Sequence, residues 1–196
     1  MVSQLVDSYD VDTARIYATG ISDGGQMSYR LATERPDRFA AVAILVAQQA
    51  EPENSNCQHP RGPISVLVMN GTADPIIPFA GGVASFYGWF PAGRVQSMDG
   101  TLAHWRRVNH LDGPSQAERL PDLDPNDGST VERVSWVGRS GHEVVGYSVH
   151  GGGHTVPGGW QYFAEAGIGH TNRDIVAADV IWRFFQRHTL GERRHP

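Results

Sequence analysis

The sequence predicts an α/β fold in which a mainly parallel sheet carries flanking helices, and three observations predict it. Residues 15–18 form a short apolar run that ends in glycines and gives way to a helical pattern over residues 26–32, stopped by Pro36. Residues 39–47 are continuously apolar, the pattern of a strand buried on both faces of a parallel sheet. Residues 64–69 form a third run that opens into an acid-bearing loop, and in open α/β sheets reacting groups collect at that carboxyl edge.

The first of these stretches organises the rest. Gly20, Ser22 and Gly24 fit G-x-S-x-G, the corner in which glycines let backbone come close and a serine hydroxyl stands exposed beside the first amides of a helix. Those free N–H groups and the helix dipole suit a developing oxyanion, so Ser22 is a candidate nucleophile and the Asp23 backbone N–H a candidate donor. With 23 glycines in 196 residues the pattern also arises by chance, so its weight comes from the strand, turn and helix order around it.

The length suits a single domain over residues 1–196 with a sizeable core. A net charge of −5 argues against a nucleic-acid binder, and no apolar run approaches the length of a membrane span. The first residues lack the basic start and apolar middle of a signal peptide. Cys57 is the only cysteine and cannot form an internal disulfide, which leaves the compartment open.

Ahead of the corner, Val2, Leu5, Val6 and Tyr9 recur at helical spacing. Residues 51–63 are polar and proline-bearing, hence a surface loop. In the loop after the third run, Asp74 is a candidate acid, although an aspartate before Pro75 can simply start a turn. Residues 79–89 mix glycines and aromatics without a period, and residues 98–109 carry Leu102, Trp105 and Val108 at helical spacing. Residues 120–128 have some of the acids of a calcium loop. The glycine comes one place late and Arg133 stands where the bidentate glutamate belongs, so a plain turn is expected and no metal.

Residues 131–137 and 143–149 read as strands, the second ending in Gly151-Gly152-Gly153-His154. The glycines permit the close approach that a mobile base in a tight site needs, which makes His154 a candidate base. His150 and His154 cannot pair on a metal, because i, i+4 ligands need a helix and three glycines forbid it. Residues 171–174 are expected to cap a helix that lays Ile175, Ala178, Trp182 and Phe185 against the sheet, and the charged tail, residues 191–196, is expected to fray.

Serine at 22, acid at 74 and histidine at 154 each follow an apolar strand, in the chain order used by α/β-hydrolases. Here the sequence resembles the polyhydroxybutyrate depolymerase-like and feruloyl esterase-like α/β-hydrolases. The likeness rests on residues 15–25, 70–78, 120–128 and 151–159 and runs over almost the whole chain. It implies a serine carboxylesterase for short-chain, hydroxyalkanoate or hydroxycinnamate esters, with Ser22 as nucleophile, His154 as base and Asp74 as the group that orients the imidazole. It implies no cofactor and a small-molecule ester as substrate. Relatives are often secreted. The competing expectation is a non-catalytic relative that binds a small molecule without turning it over.

Three departures from the family pattern stand out. Leu111 and Arg139 occupy positions where many relatives carry a cysteine pair. Val156 replaces the tryptophan of the His-Thr-Trp-Pro-Gly-Gly version, which assigns Val156 and the nearby Trp160 to the substrate pocket as an expectation. The chain begins just before the nucleophile strand, so an N-terminally truncated α/β-hydrolase fold is expected, without the loop that usually supplies the second oxyanion donor. The nucleophile strand would then be an open apolar edge, and a homodimer through residues 1–17 is expected to cover it and to bring a neighbour's backbone towards Ser22.

Overall fold

The apolar runs become the centre of one six-stranded sheet. The computed structural model describes residues 2–56, 59–86 and 88–191. Cys57 and residues 192–196 lie outside the described residues. The chain opens with α1 (Val2–Ser8), β1 (Tyr17–Ile21), α2 (Asp23–Glu34), β2 (Ala41–Leu45) and, beyond a single 3-10 turn at Pro52–Asn54, β3 (Ser65–Gly71). A hairpin of β4 (Gly82–Phe86) and β5 (Phe90–Val95), then α3 (Met98–Val108), follow. The last part holds β6 (Gln116–Arg119), β7 (Thr130–Val137), β8 (Glu143–His150), α4 (Glu165–Ile168) and α5 (Ala177–Gln186).

The strand order is β1-β2-β3-β8-β7-β6. β1, β2, β3 and β8 run parallel, while β7 pairs antiparallel with β8 and β6 antiparallel with β7. This is a mainly parallel sheet with flanking helices, the α/β architecture expected from the sequence.

Alternation along the strands sorts the core into two layers. Val42, Ile44, Val66, Val68 and Val144 face Tyr29 and Ala32 of α2 and Met98, Leu102 and Trp105 of α3. Ala41, Ala43, Leu45, Leu67, Met69, Val145 and Tyr147 face Ala177, Ile181, Phe184 and Phe185 of α5. Both faces of the central strands are covered, which is why their sequences read as unbroken apolar runs. Each fully buried large side chain in these layers contributes about 1.5–3 kcal/mol.

Three elements differ from the sequence reading. The aperiodic residues 79–89 lead into the β4–β5 hairpin, whose Gly82 and Gly93 adopt positive φ and whose register shifts between Val83 and Ser85, so no alternation survives in the sequence. β6 is exposed along its length and therefore lacks an apolar face. The last helix starts at Ala177, with Val176 at its N-cap making no side-chain cap bond, and Trp182 is 57% exposed. Asn172 and Asp174 do not cap it, because their side chains are engaged elsewhere: Asn172 Nδ2 donates to Ser129 Oγ and to Asp174 Oδ2, and Asp174 Oδ1 accepts from the Leu123 N–H. The buried stripe consequently falls on Ala177, Ile181, Phe184 and Phe185, and of the expected face only Phe185 lies within the helix and is buried.

Leu111 is buried in the first layer. A Cβ on Gly138, next to Arg139, would lie 2.6 Å from its Cδ2, so apolar packing fills the space around this position.

Candidate active site

Ser22 sits where β1 ends and α2 begins. Its N–H donates to the Leu45 carbonyl (3.0 Å), continuing the β1–β2 ladder by one residue, and its own carbonyl accepts from the Gln26 N–H, closing the first helical turn. Between those two bonds the backbone is forced to φ 52°, ψ −117°, a conformation costly for a residue with a side chain. The hydroxyl makes no cap bond to the helix, so it stays available beside the first-turn amides, Asp23 N–H among them.

The glycines around Ser22 have different reasons to be there. A Cβ on Gly20 would lie 2.3 Å from the Gly24 backbone, and one on Gly25 would lie 2.7 Å from Ala47 Cβ. A Cβ on Gly24 would meet nothing within 4 Å. Gly24 is therefore the surface that Gly20 approaches and has no steric need of its own to lack a side chain.

Asp74 and His154 come together because the pairing of β3 with β8 continues past the strands. The Thr72 N–H donates to Val149 O, the Ala73 N–H to Gly152 O, and the Gly151 N–H to Thr72 Oγ1. A Cβ on Gly71 would lie 2.1 Å from Gly152 O, so the two loops touch backbone to backbone. Asp74 Oδ1 accepts the N–H groups of Ile76 and Ile77, and Oδ2 accepts from His154 Nδ1 at 2.8 Å, with both side chains buried. An ionised carboxylate only accepts, so Nδ1 carries the proton and Nε2 is the nitrogen left to take one.

The histidine loop is held rather than mobile. His154 N–H donates to Ile168 O, the Gly153 N–H to His170 O, and Thr155 Oγ1 also to His170 O. Tyr162 Oη donates to His154 O at 2.6 Å. The glycine triplet serves contact more than motion: a Cβ on Gly153 would lie 2.1 Å from Ile168 O.

Behind this loop His170 stands between Glu165 Oε1 at 3.1 Å and Asp127 Oδ2 at 3.4 Å. Burial lowers its pKa, but the hydrogen bond with Glu165 and the charges of Glu165 and Asp127 outweigh that and hold it above the ordinary histidine value. Asp127 Oδ1 in turn accepts from the N–H and hydroxyl of Ser129. The turn-forming stretch 120–128 thus buttresses the loop that carries His154. Sequence reasoning missed Tyr162 and His170. The only available signal was their closeness to the histidine motif.

Among the described residues Ser22 Oγ makes no hydrogen bond, and the His154 ring bonds only Asp74. Ser22 follows β1 while Asp74 follows β3, two strands away, or about 10 Å of sheet edge. His150, at the end of β8, pairs instead with Glu132 at 3.5 Å. Val156 packs partly against the α5 layer, and Trp160 is 88% exposed.

Residues 1–50 match the model of the prolyl oligopeptidase family. Over 94% of its length the chain is 36% identical to "Putative esterase NocK" of Nocardia uniformis subsp. tsuyamanensis and 39% identical to "Probable feruloyl esterase C" of Aspergillus flavus. It is 28% identical over 92% of its length to "Feruloyl esterase D" of Neurospora crassa. The chain spans about half the length of these relatives, between 51% and 54%.

Proposed function

Taking the chain as an α/β-hydrolase similar to the feruloyl esterases, we propose that it acts as a serine carboxylesterase on short-chain esters, through Ser22, His154 and Asp74. The single observation that carries the reading is the buried 2.8 Å bond from His154 Nδ1 to Asp74 Oδ2. It leaves Nε2 as the free base, at the same carboxyl edge of the sheet that carries a strained serine. The serine corner and the esterase relatives weigh in the same direction.

In this mechanism Ser22 Oγ attacks the ester carbonyl carbon as His154 Nε2 takes its proton. The carbonyl oxygen becomes an oxyanion within reach of the Asp23 N–H at the start of α2. His154 then returns the proton to the departing alkoxide, leaving an acyl group on Ser22. Water, activated by the same imidazole, releases the acid. Asp74 stays ionised throughout and stabilises the imidazolium. Apo sites of this kind often hold the serine and histidine apart until substrate is bound, so the unbonded hydroxyl is compatible with the role.

Hydroxyalkanoate, feruloyl-type and simple acyl esters are the substrate classes proposed. The test is hydrolysis of p-nitrophenyl acetate and butyrate together with fluorophosphonate labelling. Wild type is expected to turn over and to label at Ser22, and Ser22→Ala to do neither. Equal turnover by Ser22→Ala removes the serine from the mechanism. A folded wild type that neither turns over nor labels favours the non-catalytic binding protein.

A further inference from the structure

We propose that Tyr162 is a positioning residue for His154, its hydroxyl clamping the histidine's main-chain carbonyl and thereby fixing the imidazole against Asp74. The proposal rests on the reading of His154 as the base. The peptide on either side of His154 is gripped from outside its own loop: its N–H donates to Ile168 O, and its carbonyl accepts from Tyr162 Oη at 2.6 Å. Three glycines precede the histidine, with Gly151 at φ 73°, so the local chain does little to restrict rotation. An external clamp supplies what the glycines withhold.

Tyr162 is mounted to do this. The adjacent Gln161 donates through Nε2 to Gly169 O and to Phe163 O, and accepts at Oε1 from Thr171 Oγ1. Residues 161–163 are therefore tied to the same 168–171 segment that holds the N–H side of His154. A closed ring results: His154 to Ile168, through Gly169 to Gln161, and from Tyr162 back to His154. The Tyr162 residue is half-exposed, so the hydroxyl, and not core packing by the ring, is its main contribution. Burial raises the phenol pKa and the charge of Asp74 raises it further, so the group stays a neutral donor through the range in which a histidine titrates.

The experiment compares wild type, Tyr162→Phe and the control Phe163→Leu, which alters the neighbouring exposed aromatic. In Tyr162→Phe, kcat for p-nitrophenyl butyrate is expected to fall about tenfold, the cost of one lost hydrogen bond. KM should stay within about twofold and the melting temperature within roughly 4 °C. Fluorophosphonate labelling of Ser22 should slow by the same factor, and the acid limb of the kcat/KM profile should move to lower pH as the imidazolium loses its alignment with Asp74. Phe163→Leu should match wild type in all five. An unchanged kcat in Tyr162→Phe, or a loss confined to KM, overturns the proposal.

If wild type neither turns over nor labels, the catalytic reading fails by itself and the clamp is judged by proton NMR. The low-field Nδ1 proton of His154, identified by its loss in Asp74→Asn, should broaden in Tyr162→Phe. An unchanged linewidth overturns the clamp independently of any activity.

Discussion

Asp74 shows how one side chain can be both turn-former and functional candidate. Its Oδ1 does what an aspartate before a proline ordinarily does, accepting the N–H groups of Ile76 and Ile77, and this leaves Oδ2 aimed at His154. The bland and the chemical readings of Asp74 are therefore compatible. Asp74→Asn keeps an acceptor for the turn but presents either an oxygen without charge or an amide to Nδ1. It is expected to fold with near-wild-type melting while lowering kcat by up to about 10⁴, because the imidazole is held in the wrong tautomer. Asp99 lies in the first turn of α3, and Asp122 and Asp124 are exposed, so the same change at these three should leave kcat within about twofold. Steady-state kinetics on the four variants check the assignment. Loss of activity at one of the three with normal activity in Asp74→Asn would transfer the acid's role.

At the scale of elements, the β1–α2 corner makes a sharp distinction between glycines that look alike in the sequence. Gly20→Ala must push a Cβ to within 2.3 Å of the Gly24 backbone, which the corner can relieve only by opening. Gly24→Ala enters open space on a helix, where alanine is favoured over glycine by about 1 kcal/mol. Thermal melts should therefore place Gly20→Ala several degrees or more below wild type and Gly24→Ala level with it or above. The opposite order would mean that the corner is not packed as described.

Another element-scale device ties α5 to the opposite end of the sheet. Glu143, buried at the start of β8, accepts from Arg187 Nε at 3.0 Å and Nη2 at 2.6 Å and from His188 Nε2 at 2.8 Å. Burial raises its pKa, but these donors and their charges outweigh it and hold the carboxyl below the ordinary value. A depressed carboxylate contributes stability that is present above its unfolded pKa of about 4.3 and is lost as pH falls through the folded value. The melting temperature should accordingly drop on acidification below about pH 4.3. Glu143→Gln should be less stable at pH 7 and show a shallower acid decline. A wild-type acid limb retained in full by the variant would assign that limb to other carboxylates.

At the scale of the whole molecule, the sheet has β1 at one margin, bonded among the described residues to β2 alone. Ile21 on this strand is 46% exposed and Leu5 of α1 is 48% exposed, while Val2 packs against the first core layer. A strand margin with apolar neighbours invites pairing. We propose that a second copy of the chain covers it in a two-fold homodimer that includes residues 1–17 and brings backbone donors towards Ser22. Light scattering across a dilution series, with activity measured in parallel, tests this. A dimer mass with activity falling on dilution is expected, and a monomer with full activity at the lowest concentration overturns both the dimer and the shared site.

What the sequence determined by itself was the part of the fold governed by burial on both faces and by obligatory backbone geometry. The runs at 39–47 and 64–69 announce β2 and β3 because strands covered on both sides have no polar positions to hide in. The corner announces itself through the spacing of Gly20, Ser22 and Gly24, although of these two glycines the structure gives a steric reason only for Gly20, whose Cβ would lie 2.3 Å from the Gly24 backbone, while a Cβ on Gly24 would meet nothing within 4 Å. What depended on exposure or on partners far along the chain was decided only in three dimensions. The β6 strand has no buried face to give it a period, and the β4–β5 hairpin loses its alternation to glycines and a register shift. The start of α5 moved because Asn172 and Asp174 found partners at Ser129 and Leu123, 43 and 51 residues away. Asp74 and His154, 80 residues apart, were legible as candidates by type and order. Their 2.8 Å contact and the hydroxyl of Tyr162 on the histidine's carbonyl come from loops that β3 and β8 bring together, and local sequence carries no record of that pairing.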